Sequence, residues 1–311
     1  QFNGIEKTMK FIKLAVYGRA GVGKTYLALG FPRVGIIDME SGADLYSDRF
    51  PDTRIVKTAS AIDVMETVME LRDKPTDIQT IVIDPITVLW NQLQDVHLEF
   101  LGKKAADKGL DPMSVSLQVQ DWKPIKHKWN KIMTTLINLP MNVILIGRVQ
   151  EKMKAETAEG RTGWSTTGEV MAAEKDTTHA MDIVIKLNVV GKDRIGFVEK
   201  DRSGTYPLYS DIVNPTFTTH FKPILDKYSG GVLAVAPNPE TAMETDMAAQ
   251  DKEEQLYITL CTILEATKDL TELAAWATTV KTNTPLLERE HVQALQQMYR
   301  TKSKEIKERK V

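Results

Sequence analysis

The 311-residue chain contains one cysteine, Cys261. This excludes an internal disulfide framework and fits a reducing compartment, and Cys261 itself reads as a small apolar helix residue. The five histidines make no Cys/His cluster with zinc spacing. Long hydrophobic runs are lacking as well, since stretches such as 143–147 are far too short to span a bilayer. The N-terminus has neither the charged nor the apolar region of a secretory leader. A soluble protein of the cytoplasm, without a membrane partner, is the expectation. Nor does charge of one sign dominate: the formal net charge is -2 and the pI about 6.3. No global field draws the chain to nucleic acid or anionic lipid, so any polyanion site is local. Residues 1–8 precede the first methionine, Met9, and are read as a leader left from expression.

What the chain does have is Gly18-Arg19-Ala20-Gly21-Val22-Gly23-Lys24-Thr25, a complete G-x-x-x-x-G-K-T string directly after an apolar run. The chemistry dictates this spelling. Glycines let backbone N–H groups curl around phosphates, the lysine ammonium reaches the β and γ oxygens, and the threonine hydroxyl holds Mg²⁺. With Tyr26, which opens the helix-forming run behind it, the string is the candidate nucleotide-binding segment.

Apolar content of 42% supports a real core, and the length suits one large α/β domain with a satellite. Short β-type runs at 11–17, 34–38, 54–57, 80–84, 142–148, 182–190 and 194–199 alternate with helical spacing at 61–72, 85–101 and 122–139. This predicts β-α-β units and a mainly parallel sheet covered on both faces. Polar stretches at 102–121 and 150–180 are expected to be long loops, of a length usually tied to function. The α/β core is assigned to 9–228, a linker rich in proline and small residues to 229–250, and a small helical bundle to 251–311. Leu256, Leu260 and Leu264, then Leu270, Leu273 and Val280, then Val292, Leu295 and Tyr299 mark its three amphipathic segments. The basic tail from Lys302 to Lys310 reads as a solvated helix face or an interaction surface.

Further acidic candidates lie at strand ends. The run Ile81-Val82-Ile83-Asp84 ends in a carboxylate suited to Mg²⁺ as a Walker-B aspartate. In Ile36-Ile37-Asp38-Met39-Glu40, strand alternation sends Asp38 and Glu40 to one side at the carboxyl end of the sheet. Either is placed to polarise an attacking water.

In this order the residues resemble the RecA-type ATPase core, and within it the phage-encoded nucleotide-binding proteins that include single-strand annealing proteins. The likeness covers about residues 10–228 and implies a RecA-like P-loop fold, ATP and Mg²⁺. It implies that Glu40 is the catalytic base and that Arg148, at the end of the strand over 142–148, takes the γ-phosphate-sensing position, where RecA itself has a glutamine. It implies single-stranded DNA contacts in the following loop, whose Lys152, Lys154, Arg161 and Trp164 combine cations with a ring on which bases can stack. It also implies that Lys200 and Arg202 reach a neighbour's nucleotide, so that turnover requires a homo-oligomer, filament or ring.

The expected activity is ATP-dependent, phage-type recombination on single-stranded DNA by annealing or strand exchange. The alternatives are a P-loop small-molecule kinase and a non-enzymatic nucleotide-dependent scaffold whose helical tail binds a single-stranded DNA-binding protein.

Overall fold

A computed structural model describes residues 11–158, 161–228 and 239–308, with the side chains of 153–165 and 239–245 outside that description. Two compact units divide at Ala236/Pro237. In chain order the first holds β1 (Lys13–Tyr17), α1 (Lys24–Leu29), β2 (Val34–Asp38), β3 (Arg54–Lys57), α2 (Ala61–Asp73) and β4 (Thr80–Asp84). It continues with α3 (Ile86–Ala106), α4 (Trp122–Asn138), β5 (Asn142–Gly147), β6 (Val149–Ala158) and β7 (Arg161–Met171). The last of this unit are α5 (Thr177–Ala180), β8 (Ile183–Val190), β9 (Asp193–Asp201), β10 (Asp211–Val213) and α6 (Lys222–Lys227).

Eight of these strands form one sheet in the order β10-β9-β8-β1-β5-β4-β2-β3. All pairings from β8 to β3 are parallel, and only the β8–β9 and β9–β10 pairings at one edge are antiparallel, which leaves β9 as the one reversed strand of this sheet. Parallel strands need both faces covered, and the residues comply: β1, β2 and β5 are buried at every position. Alternation divides them between two cores. Ala15, Tyr17, Ile37, Ile83 and Leu145 pack with Val64 and Val68 of α2, Leu89 of α3 and Trp129 of α4. Leu14, Val16, Ile36, Val82 and Ile144 pack on the other face with Leu27 and Ala28 of α1 and Ile224 of α6.

The α/β P-loop fold with a mainly parallel sheet is therefore the one expected, but three expectations about irregular segments are corrected. Residues 150–180 are not a long loop: β6 and β7 pair antiparallel from Val149↔Met171 to Ala158↔Arg161 as a separate two-stranded ribbon. Threonines at 157, 162, 166 and 167 suit extended backbone, which glycine and charge disguised in the sequence. In the 102–121 stretch, α3 runs on to Ala106, and short helical turns occupy Pro112–Ser114 and Val119–Asp121.

The second unit consists of α7 (Pro239–Ala266), α8 (Leu270–Asn283) and α9 (Arg289–Glu308). Leu260, Leu264, Leu273, Trp276, Val280, Leu295 and Ile306 form its core. The third correction falls here. Residues 239–250, assigned to the linker, are the first turns of α7; Pro239 suits a first helical position, and the alanines, glutamates, methionines and glutamine behind it are helix formers. The remainder of the assigned linker that precedes Pro239 lies outside the described residues, as do residues 1–8. Cys261 is half-buried, with its Sγ 3.8 Å from Met298 Sδ. No helix among the described residues is long and apolar enough to cross a membrane.

Candidate active site

The carboxyl ends of β1, β5, β4 and β2 line up along one edge of the sheet because the strands are adjacent and parallel. The 18–25 string leaves β1 there and enters α1. Gly23 adopts φ +92°, in the left-handed region that glycine tolerates. At Gly18 a Cβ would meet the Leu187 carbonyl oxygen at 2.3 Å, so the loop passes over β8 only without a side chain.

Lys24 turns back into its own loop. Its Nζ donates to Gly18 O at 2.9 Å and Arg19 O at 2.8 Å. Burial lowers its pKa, an effect opposed by nearby Asp84 and reinforced by Arg148. Thr25 follows on α1 and donates from Oγ1 to Asp84 Oδ2 at 2.6 Å. Burial raises the Asp84 pKa, the Thr25 hydrogen bond works against this, and Asp38 adds to it. A hydroxyl and a carboxylate on one point are hard oxygen donors of the kind Mg²⁺ takes, so the pair fits that ion.

The acidic pair at the end of β2 divides in two. Asp38 is buried and committed to the turn: Oδ1 accepts from the N–H groups of Glu40 at 3.1 Å and Gly42 at 3.3 Å, and Oδ2 from Ala43 N–H at 2.8 Å. Glu40 is exposed and forms an ion pair with Arg148. Arg148 is itself fixed where β5 ends, its N–H donating to the buried Thr87 Oγ1 at 3.0 Å. The structure thus brings Lys24, Thr25, Asp84, Glu40 and Arg148 to one end of the sheet.

The ribbon starts one residue after Arg148, and Ala172 N–H closes its base on Arg148 O at 2.8 Å. A second link comes from the phosphate loop. Arg19 pairs with Glu169 of β7 at 2.7 Å, and Lys186 of β8 pairs with the same carboxylate at 2.8 Å. The two cations hold Glu169 down to about 2. This junction escaped sequence reasoning because it depends on ribbon register and has no local motif. Lys152 lies exposed on β6. Lys154, Arg161 and Trp164 have backbone positions in β6 and β7, while their side chains lie outside the described residues.

Lys200 and Arg202 are elsewhere. β9 runs antiparallel to β8, and the pairings Leu14↔Ile183, Ile183↔Asp201 and Val184↔Lys200 set them at the end of the sheet where β1 begins. Lys200 Nζ donates to His179 O at 2.7 Å and Thr178 O at 3.1 Å, and Arg202 donates to His179 O at 3.1 Å. They are not brought to their own chain's phosphate loop.

A phosphate-binding loop after the first strand of a parallel sheet, with a Thr–Asp pair beneath it, defines a P-loop nucleotide-binding protein. Residues 10–211 match the model of a family described as AAA domain, and the chain belongs to that family. Among solved structures, the chain is similar to the crystal structure of the RadB recombinase at 15% identity and a TM-score of 0.41, over 65% of this chain and 87% of that one. No curated protein matches the sequence.

Proposed function

We propose that this protein hydrolyses ATP and uses the cycle to assemble on single-stranded DNA and promote annealing or strand exchange in phage-type recombination. The observation that carries the proposal is the Glu40–Arg148 pair beside the phosphate loop, at the point where the chain passes into the β6/β7 ribbon.

Residues 18–26 cradle the nucleotide, and Lys24 exchanges its loop carbonyls for β and γ oxygens. Thr25 and Asp84 would hold Mg²⁺, which supplies charge neutralisation at the phosphates. Glu40 accepts a proton from the attacking water. Asp38 is less suited to that role because it is buried and three backbone N–H groups already donate to its oxygens. Arg148 moves between Glu40 and the γ-phosphate, so the bound nucleotide releases the base and shifts the ribbon rooted at Arg148. Glu169 ties Arg19 of the phosphate loop to that ribbon.

On the ribbon, Lys152, Lys154, Arg161 and Trp164 contact phosphates and bases. Lys200 and Arg202 lie too far along the sheet to act in their own site. That placement suits a role in a neighbour's nucleotide site within a homo-oligomer. The C-terminal helices are offered to a partner such as a single-stranded DNA-binding protein, and the setting is the cytoplasm of a bacterial host. Annealing of two complementary oligonucleotides, one carrying a fluorophore and one a quencher, tests the activity. ATP-dependent acceleration by the wild type and none by Lys24→Ala is expected; equal rates with and without ATP would refute it.

A further inference from the structure

Arg194 carries no role so far, yet it lies against the phosphate loop of its own chain. A Cβ built on Gly23 would meet Arg194 Nε at 2.4 Å, Cδ at 3.0 Å and Cζ at 3.3 Å, so the guanidinium rests on the backbone just before Lys24. Its Cζ is also 5.5 Å from the centre of the Tyr26 ring, whose surroundings include Arg49 at 4.8 Å and Phe50 at 5.4 Å. The position is built rather than incidental. Arg194 N–H donates to Asn214 Oδ1 at 2.9 Å, Asn214 N–H returns to Arg194 O at 2.6 Å, and Asn214 Nδ2 donates to Asp193 Oδ1 at 2.7 Å. The pairing Val189↔Arg194 fixes it at the loop end of the sheet, opposite to Lys200 and Arg202.

Among the described residues no carboxylate forms an ion pair with this exposed guanidinium. A permanently charged fork of five donors therefore stands on a loop whose N–H groups face phosphate. We propose that Arg194 is a nucleotide-binding residue, contacting the α- and β-phosphates held by the stretch from Gly23 to Tyr26. This rests on the nucleotide-binding reading of that loop. The β and γ oxygens fall to Lys24, and the α/β flank is common to ATP and ADP. Arg194 accordingly contributes to binding both nucleotides equally and leaves the preference between them unchanged.

Calorimetric titration of the full chain with Mg²⁺–ADP and with a non-hydrolysable Mg²⁺–ATP analogue tests this. For Arg194→Ala, loss of a charge-assisted hydrogen bond should weaken both ligands by about tenfold or more. Arg194→Lys should recover part of the loss, and the melting temperature in the absence of nucleotide should be unchanged. Wild-type affinity in Arg194→Ala would overturn the assignment, as would weakening confined to the ATP analogue, which marks a γ-phosphate contact. If Arg194→Ala fails to fold, Arg194→Gln, which keeps the stem over Tyr26, decides on the same two ligands. Wild type binding neither nucleotide would sink the loop assignment itself, whereas binding by wild type with loss in Lys24→Ala preserves it whatever Arg194 does.

Discussion

Two lysines at opposite ends of the sheet show what separates a fold-holding group from a working one. Lys13 opens β1 and is buried, with Nζ donating to Leu139 O and Met141 O, both at 2.8 Å. Those carbonyls lie 126 and 128 residues away in the chain, so the contact fixes long-range structure. Lys24, beyond the other end of β1, also donates to two carbonyls, but they belong to its own loop five and six residues back. Burial depresses both pKa values, that of Lys13 to about 7. Releasing Lys13 would disturb the junction of β1 and β5; releasing Lys24 rearranges one loop and makes a cation available to phosphate. Asp38 and Glu40 repeat the contrast over two residues, one locked by backbone N–H groups and the other held only by a side chain.

Substitutions at the two ends should therefore fail differently. The largest effect is expected from Lys24→Ala, which should bring ATP turnover to background and weaken nucleotide binding by about a hundredfold or more, through loss of charge-assisted hydrogen bonds. Its denaturation midpoint should stay close to wild type. A variant that still turned over normally would erase the distinction between the two lysines. Glu40→Gln comes next: the hydrolysis rate should fall by roughly 10²–10⁴-fold, the usual contribution of a general base, with affinity retained.

Lys200 sharpens the comparison because it lies at the far end and yet is assigned to turnover. Mixing Glu40→Ala with Lys200→Ala protomers should restore part of the rate each lacks alone, since some interfaces then pair an intact Glu40 with an intact Lys200. The absence of rescue at any ratio would return Lys200 to a purely structural position.

An effect of another kind, on stability rather than turnover, concerns pH and Lys13. Its folded pKa lies below the 10.5 of a free lysine, so between about pH 7 and pH 10.5 the unfolded chain binds the additional proton and stability rises with pH. Below about pH 7 both states are protonated and the cost of burying the charge is constant. Lys13→Met should lose this rise, whichever way mean stability moves, as read from urea midpoints at pH 7 and pH 10. An unchanged slope would mean that Lys13 does not carry it.

Much of the near end was legible in the sequence because its chemistry is spelled locally. Gly18 to Thr25 and Asp84 are fixed by loop and strand-end composition, and the β1, β2, β4 and β5 runs are apolar enough to be read as buried strands. The division between Asp38 and Glu40 was not spelled, since it depends on which oxygens the turn consumes. The Arg19–Glu169–Lys186 junction and the position of Arg194 depend on strand pairings across long sequence separations. Lys13 was hidden for a related reason: a lysine at the start of a strand ordinarily snorkels to solvent, and only the path of Leu139 and Met141 buries it. The ribbon is hidden by its charge and glycine, and the start of α7 by Pro237, Pro239 and the lack of apolar periodicity behind them.

The central claim is that nucleotide turnover at the near end is coupled to DNA through the β6/β7 ribbon. Its most direct test is the steady-state ATP hydrolysis rate of the wild-type chain with and without saturating single-stranded DNA. Stimulation of about tenfold, equivalent to about 1.4 kcal/mol off the barrier, is predicted. A measurable rate that single-stranded DNA leaves unchanged would contradict the account.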